Sequence, residues 1–247
     1  MSDAQALCWR PFENAPAPSG GELHVWRLRV DRGAAAALPV RDLLSAAERE
    51  RAARFHLERD AVCFTLCRAR LRLLLGRAIG VDAAAVRFEY GAAGQPLLAG
   101  GSGPCFSVSH SGAFALIAIS AGGRVGVDLE RIRSRADCDV AAYFSEDEVR
   151  RLRSLPPDDR ERAFFRCWTR KEAYLKARGD GLGFGLQRFA VTLGPAEPPR
   201  LLWVRGEPGE ARRWDLRDLP VDPAYSAAII AEAPVARTFR WDIEAPR

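Results

Sequence analysis

Phe164-Phe165-Arg166-Cys167-Trp168-Thr169-Arg170-Lys171-Glu172-Ala173-Tyr174-Leu175-Lys176 lies inside a longer segment, about Arg160 to Ala177, that reads as a helix and stops at Gly179. At about 100° per residue, Phe164, Trp168 and Leu175 form one apolar stripe, and Glu172 falls about 40° from Trp168, near its middle. Lys171 and Lys176 fall on either side of it. A lone carboxylate on a buried face costs several kcal/mol. Glu172 is therefore either half of a structural i,i+4 pair with Lys176, worth a few tenths of a kcal/mol, or a group that holds a cation. The lysines add weight to the second option, because Lys171 and Lys176 are the only two among 37 basic residues. Arginine is a permanently charged planar fork, whereas lysine is a compact ammonium that can approach one oxygen and give up a proton.

Working outward, the same segment has an echo about one hundred residues earlier. Phe164-x-x-Cys167 matches Phe64-x-x-Cys67, Ser145 with Glu148 matches Ser45 with Glu48, and Arg188-Phe189 matches Arg87-Phe88. Each serine reads as a helix N-cap with an acid three residues on, the capping-box pattern. The first Arg-rich helical stretch runs from Ser45 through Gly76 with a break near Asp60. Strands are expected at Leu23 to Val30, Arg87 to Tyr90, Phe106 to Val108 and Phe114 to Ser120, with a turn at Ser109-His110-Ser111-Gly112. Further strands are expected at Gly126 to Glu130, Phe189 to Leu193, Leu201 to Val204 and Tyr225 to Ala231. The expected fold is α+β, two similar α/β halves spanning residues 1–122 and 123–247, with a ligand site in the crevice between them.

Asp128 and Glu130 stand at i and i+2 of a strand, so their carboxylates share a face while Val125, Val127 and Leu129 take the other. A bare acid pair of this kind fits a solvent-facing edge strand. Joined by Glu172 and the nearby ammonium groups, it fits a hard-cation site beside an anion site. Mg²⁺ binds through few protein oxygens together with substrate phosphates, which points to a phosphate-bearing substrate. The Ser109–Gly112 segment is either a polar hairpin turn or a set of donors for phosphate oxygens. No nucleophile elbow surrounds it. Gly179 to Gly185 follows a helix, not a strand, and so is a helix stop, not a dinucleotide fingerprint.

Composition excludes several classes. Hydrophobic residues make up 48% and charged residues 28%, ordinary for a globular chain and unlike a disordered, collagenous or disulfide-framework sequence. No apolar run reaches the roughly 18 residues that span a bilayer, and Met1 to Gln5 has no secretory pattern, so a cytosolic protein is expected. The six cysteines contain no Cys-x-x-Cys pair and are expected as reduced, packed thiols. His24, His56 and His110 are too scattered for a zinc site. A net charge of +5 and an isoelectric point near 9.1 favour anionic partners without choosing among them.

Taken together, the sequence resembles the 4′-phosphopantetheinyl transferases of the surfactin-synthetase-activating type. The motifs are Phe106-Ser107-Val108-Ser109-His110-Ser111-Gly112, Gly126-Val127-Asp128-Leu129-Glu130, Phe144-Ser145-x-x-Glu148 and Trp168-Thr169-Arg170-Lys171-Glu172-Ala173-Tyr174-Leu175-Lys176. Gly181-Leu182-Gly183-Phe184 and Gln187-Arg188-Phe189 follow in order. The resemblance implies two α/β halves that bind coenzyme A and Mg²⁺ between them and transfer the phosphopantetheine arm to a serine of an acyl or peptidyl carrier protein. It implies Asp128, Glu130 and Glu172 as metal ligands, and Ser109 and His110 as contacts to the coenzyme's phosphates. It places Lys171 and Lys176 near the pyrophosphate and Arg51 and Arg54 near the 3′-phosphate. Gln95 departs from the family's usual lysine in the Gly94-Gln95-Pro96 turn.

On this reading Lys176 stabilises or protonates the leaving phosphate and Glu172, or a water at the metal, takes the proton of the attacking serine. An acidic carrier suits the Arg-rich surface. The expected protein is a monomer that binds neither nucleic acid nor membrane. Two rivals remain at this point. A basic nucleic-acid-binding module would show steep salt dependence and no need for Asp128, and a metal-dependent phosphohydrolase would use the same acids on water.

Overall fold

A computed structural model describes residues 9–12, 15–30, 40–133 and 143–243. The start of the chain that was read for an export signal lies outside them, as do Cys8 and Cys138. The first half runs β1 (Arg10–Pro11), β2 (Glu22–Arg29), α1 (Val40–Leu43), α2 (Ala46–Ala53), α3 (Glu58–Ile79), β3 (Phe88–Tyr90), β4 (Pro96–Leu98), β5 (Cys105–Ser111) and β6 (Phe114–Ser120). There follow β7 (Val125–Arg131), α4 (Glu146–Ser154), α5 (Pro157–Arg178), β8 (Phe189–Val191), β9 (Leu201–Val204), β10 (Trp214–Asp218), β11 (Tyr225–Glu232) and β12 (Arg237–Ile243).

The echo in the sequence is an echo in the fold. Ser45 and Ser145 each accept the backbone N–H of the acid three residues on, and Glu48 and Glu148 each reach back to the serine N–H. Each box satisfies two of the donors that a helix start leaves open. α3 and α5 are both 22 residues long and both stop on a left-handed glycine, Gly80 (φ 73°) and Gly179 (φ 83°). Strand order repeats as well: β2–β6–β5 in one half and β7–β11–β10 in the other, antiparallel throughout.

The layers follow from alternation along the strands. One face of β2 and β6 carries Trp26, Leu28, Ile117 and Ile119 into a core with Leu66, Leu71, Leu74 and Leu75 of α3. The opposite faces of the two sheets meet through Leu23, Val25, Leu116 and Ala118 against Val127, Leu129, Ala227 and Ile229. Beyond the second sheet, Phe164, Phe165, Tyr174 and Leu175 of α5 pack with Phe189, Trp214, Leu216 and Ile230.

Three expectations need correction. The helix break comes at 54–57, before Asp60, because Arg54 caps α2 and Leu57 opens α3. Ser109 and His110 lie in β5, not in a turn, since pairing with β6 continues through Ser111↔Phe114 and leaves Gly112-Ala113 as the connection. The second unit, 123–247, does not keep its strands to itself. β12 lies parallel to β2 in the first sheet, order β1–β12–β2–β6–β5, and Trp241 and Ile243 enter the first half's core.

Candidate active site

The two sheets come together where edge strand β5 lies beside edge strand β7. Backbone pairing does not join them; serine hydroxyls do. Ser107 Oγ accepts the N–H of Val127 (3.1 Å), Ser109 Oγ that of Leu129 (3.2 Å) and Ser111 Oγ that of Arg131 (3.0 Å). The period of two puts all three side chains on one side of β5, and the constant offset of 20 residues makes the strands run parallel. Two of the hydroxyls also donate, Ser109 to Asp128 Oδ1 at 2.9 Å and Ser111 to Glu130 Oε2 at 3.0 Å. The seam therefore aims both acids of β7.

Gly126 brings α5 onto the same strand. A Cβ there would stand 1.9 Å from the Ala173 carbonyl oxygen and 2.6 Å from the Ala177 nitrogen. Glycine thus lets the helix backbone lie directly on β7, with Glu172 and Lys176 over Asp128. Lys176 Nζ donates to Asp128 Oδ1 (2.8 Å) and to the Val127 carbonyl (3.1 Å). Asp128 Oδ2 and Glu172 Oε1 are buried without a hydrogen-bond partner. Burial, with the charge of Asp128 next and that of Glu130 adding to it, pushes the Glu172 carboxyl up to about 7 against the opposing pull of Lys176. A cavity of about 610 Å³ opens alongside, with Gln95, Phe106, Val108, Glu172, Lys176 and Gly179 in its walls.

Asp128, Glu130, Glu172, Lys176 and Ser109 are thus brought together. Glu172 does not pair with Lys176 in a helix-surface bridge, because the ammonium is taken by Asp128. The Ser109 hydroxyl has spent its one proton on Asp128 and is buried, so it positions the acid and is not free to donate to a phosphate. His110 is exposed beside this group; the neighbouring Cys63 thiol raises its imidazole above the usual 6.5, against partial desolvation and the nearby Lys176. Arg51 and Arg54 are exposed at the end of α2, with the Arg51 guanidinium 5.2 Å from the Phe64 ring, and neither joins the carboxylates.

Lys171 is a correction. It is fully buried, paired with Glu148 at 2.8 Å, and its Nζ donates to the carbonyls of Leu186 and Phe189. Its counterpart is Arg72, buried against Glu48 at 2.8 Å and donating to the carbonyls of Ala83 and Val86. In both halves the capping-box acid anchors a cation that ties down the segment after the long helix, so Lys171 is no pyrophosphate ligand. Gln95 Nε2 donates to the Gly179 carbonyl at 3.0 Å, a bond from the first half to the end of α5. Sequence reasoning gave Ser107 and Gly126 no role in the site, and it read Ser111 as part of a polar turn, not as a link to β7. The alternate serines at 107, 109 and 111 were the available signal for the seam.

Among the described residues no three His, Cys, Asp or Glu side chains close into a metal site by themselves, and no helix is long and apolar enough to cross a membrane. Residues 124–230 match the family model of the 4′-phosphopantetheinyl transferase superfamily, and residues 35–122 match that of the 4′-phosphopantetheinyl transferase N-terminal region. The chain is 37% identical over 213 residues to 4′-phosphopantetheinyl transferase HetI of Nostoc sp., covering 84% of this chain and 86% of that one. It is 26% identical to 4′-phosphopantetheinyl transferase Sfp of Bacillus subtilis, over 77% of this chain and 83% of the relative. With the human L-aminoadipate-semialdehyde dehydrogenase-phosphopantetheinyl transferase it shares 27% identity, over 76% of this chain and 66% of the relative. The chain belongs to the 4′-phosphopantetheinyl transferase superfamily.

Proposed function

We infer that this transferase moves the 4′-phosphopantetheine arm of coenzyme A to a serine of an apo carrier protein, releasing adenosine 3′,5′-bisphosphate. The observation that carries the reading is the Asp128–Lys176–Glu172 group at the junction of the halves, with a cleft beside it. Two of the three Lys176 donors are used, on Asp128 and on the Val127 carbonyl, which leaves one for a leaving phosphate oxygen. Glu172, pushed up to about 7, is suited to accept the proton of the attacking serine near neutral pH. His110 offers an exposed imidazole donor to the coenzyme's phosphates, and Arg51 and Arg54 are proposed for the 3′-phosphate.

Mg²⁺ is the metal we propose, held by Asp128 and Glu172 with Glu130 alongside. Two orphaned buried carboxylate oxygens and the mutual repulsion around Glu172 are what a divalent cation would relieve. Mg²⁺ keeps several waters and takes substrate phosphates, so one or two protein carboxylates suffice. When bound, it neutralises charge developing on the pyrophosphate.

The surfactin-synthetase-activating type remains our proposal for the subclass, on the motif set around Trp168 to Lys176. The two family spans meet at residues 122 and 124, which supports a division at 122/123 apart from β12. A cytoplasmic monomer acting on an acidic carrier fits one chain that supplies both sides of the site and carries a charge of +5. Incubation with coenzyme A, Mg²⁺ and apo carrier proteins tests the reading. A gain of about 340 Da on a carrier is expected; unchanged mass on a panel of carriers, with the enzyme folded, would overturn it.

A further inference from the structure

The turn Gly94-Gln95-Pro96 is where the sequence departs from the usual lysine, and the transfer chemistry leaves Gln95 without a task. β3 and β4 form a sheet of their own, two strands of three residues each. A two-stranded ribbon is marginal by itself. Its base is held by the first half's core, against which Phe88 and Leu98 pack. Its turn is closed by the Gly94 N–H on the Gly91 carbonyl (2.8 Å) and the Gly91 N–H on the Gln95 carbonyl (2.9 Å). From this turn the Gln95 side chain crosses to the other half, where Nε2 donates to the Gly179 carbonyl at 3.0 Å. Glycines make room for it on both sides. A Cβ at Gly91 would collide with the amide, and one at Gly179 would stand 2.9 Å from Nε2. Ala93 of the same turn lies close on Gly181, where a Cβ would come within 2.9 Å of its methyl.

We propose that Gln95 is a positioning residue for coenzyme A, a clasp that holds the β3–β4 turn on the end of α5 and so fixes the separation of the two cavity walls. The identity of the ligand rests on the transfer reading. The cavity takes Pro96, Leu98 and Phe106 from the first half and Glu172, Lys176 and Gly179 from the second. Gly179 follows Lys176 by three residues, about 4.5 Å along the helix axis, so the clasp is fastened just beyond the ammonium that faces the cleft. It is a second tie between the halves beside the serine seam, whose Ser107 also lines the cavity. The amide has one workable orientation, because Oε1 turned to the Gly179 carbonyl would set two acceptors against each other. Oε1 is thereby left buried with no hydrogen-bond partner among the described residues. A buried acceptor without a partner costs stability, and an apolar side chain of similar size would avoid that cost. What the amide adds over such a side chain is the Nε2 donor, and with it the bond across the halves.

The full-length protein and its Gln95→Leu and Gln95→Lys variants are compared by calorimetric titration with coenzyme A in the presence of Mg²⁺, and by turnover of an apo carrier at saturating coenzyme A. Leucine nearly keeps the volume and removes the donor; lysine keeps a donor for the Gly179 carbonyl. Gln95→Leu is expected to weaken coenzyme A binding about tenfold, the worth of one hydrogen bond. Its kcat should fall by no more than about twofold, with the melting temperature unchanged. Gln95→Lys should bind as tightly as the wild type or tighter. A Gln95→Leu protein with wild-type affinity for coenzyme A would overturn the clasp. So would losses confined to kcat and melting temperature, the mark of a merely structural role, or a Gln95→Lys protein that binds as weakly as Gln95→Leu. Failure of the wild type itself to bind coenzyme A is the separate result that rejects the transfer reading, and the clasp with it.

Discussion

Lys171 and Lys176, five residues apart on one helix, differ in almost everything that matters to a lysine. Lys171 neutralises Glu148 inside the core, and removing one partner of a buried pair strands the other charge. Lys171→Ala is expected to cost about 3–5 kcal/mol in urea unfolding. Lys176 is part-exposed and faces the cleft. Lys176→Ala should lower turnover at least tenfold with a much smaller change in midpoint, so equal stability losses would contradict this division. A helical wheel placed both lysines beside Glu172 and could not separate them, because the partners that do so come from α4 and from the segment after α5. His24 was visible only as one of three histidines. It is fully buried, accepts the Trp241 indole N–H at 3.1 Å, and burial lowers its imidazole below 6.5 despite Glu22. A group with a depressed folded value contributes stability that is present above the unfolded value and lost as pH falls below it. The melting temperature should therefore drop as pH falls below 6.5, and His24→Gln should flatten that decline.

At the level of elements, what the sequence made legible was what local chemistry determines. The capping boxes at Ser45 and Ser145, the helix stop at Gly179 and the alternation that aims Asp128 and Glu130 together all appear as read. What escaped was contact between elements distant in sequence. Gly126 looked like an ordinary strand residue until α5 was seen lying on it. Gly126→Ala is expected to cost about 3 kcal/mol or more and to lower activity with it, because the helix carrying Glu172 must move off the strand. A fully stable, fully active variant would mean that the close approach is not needed. The serine seam makes a second comparison. Ser107→Ala orphans the Val127 N–H and should cost about 1–3 kcal/mol with activity largely kept. Ser109→Ala orphans the Leu129 N–H and also releases Asp128, so its turnover should fall much further.

For the whole molecule, the duplication was legible because each half carries its own caps and long helix, but the division at 122/123 hid one exchange. β12 sits between β1 and β2, and its Trp241 and Ile243 complete the core beneath α3. Without it, β2 becomes an edge strand with Trp26 under-covered, an aggregation-prone arrangement. A fragment of residues 1–122 is therefore expected to lack a cooperative melting transition, and a peptide spanning 237–243 supplied in trans should bind it weakly if at all. A cooperative, monomeric fragment would reject that dependence. The order in which the chain is made gives this exchange a further meaning. Synthesis produces β2 long before its parallel neighbour β12, so the first half leaves the ribosome with a sheet that cannot yet be finished. The second half has β7, β10 and β11 in hand before β12 appears. The later-made half is thus able to mature first, and the earlier one waits on a strand made after the other half's own sheet.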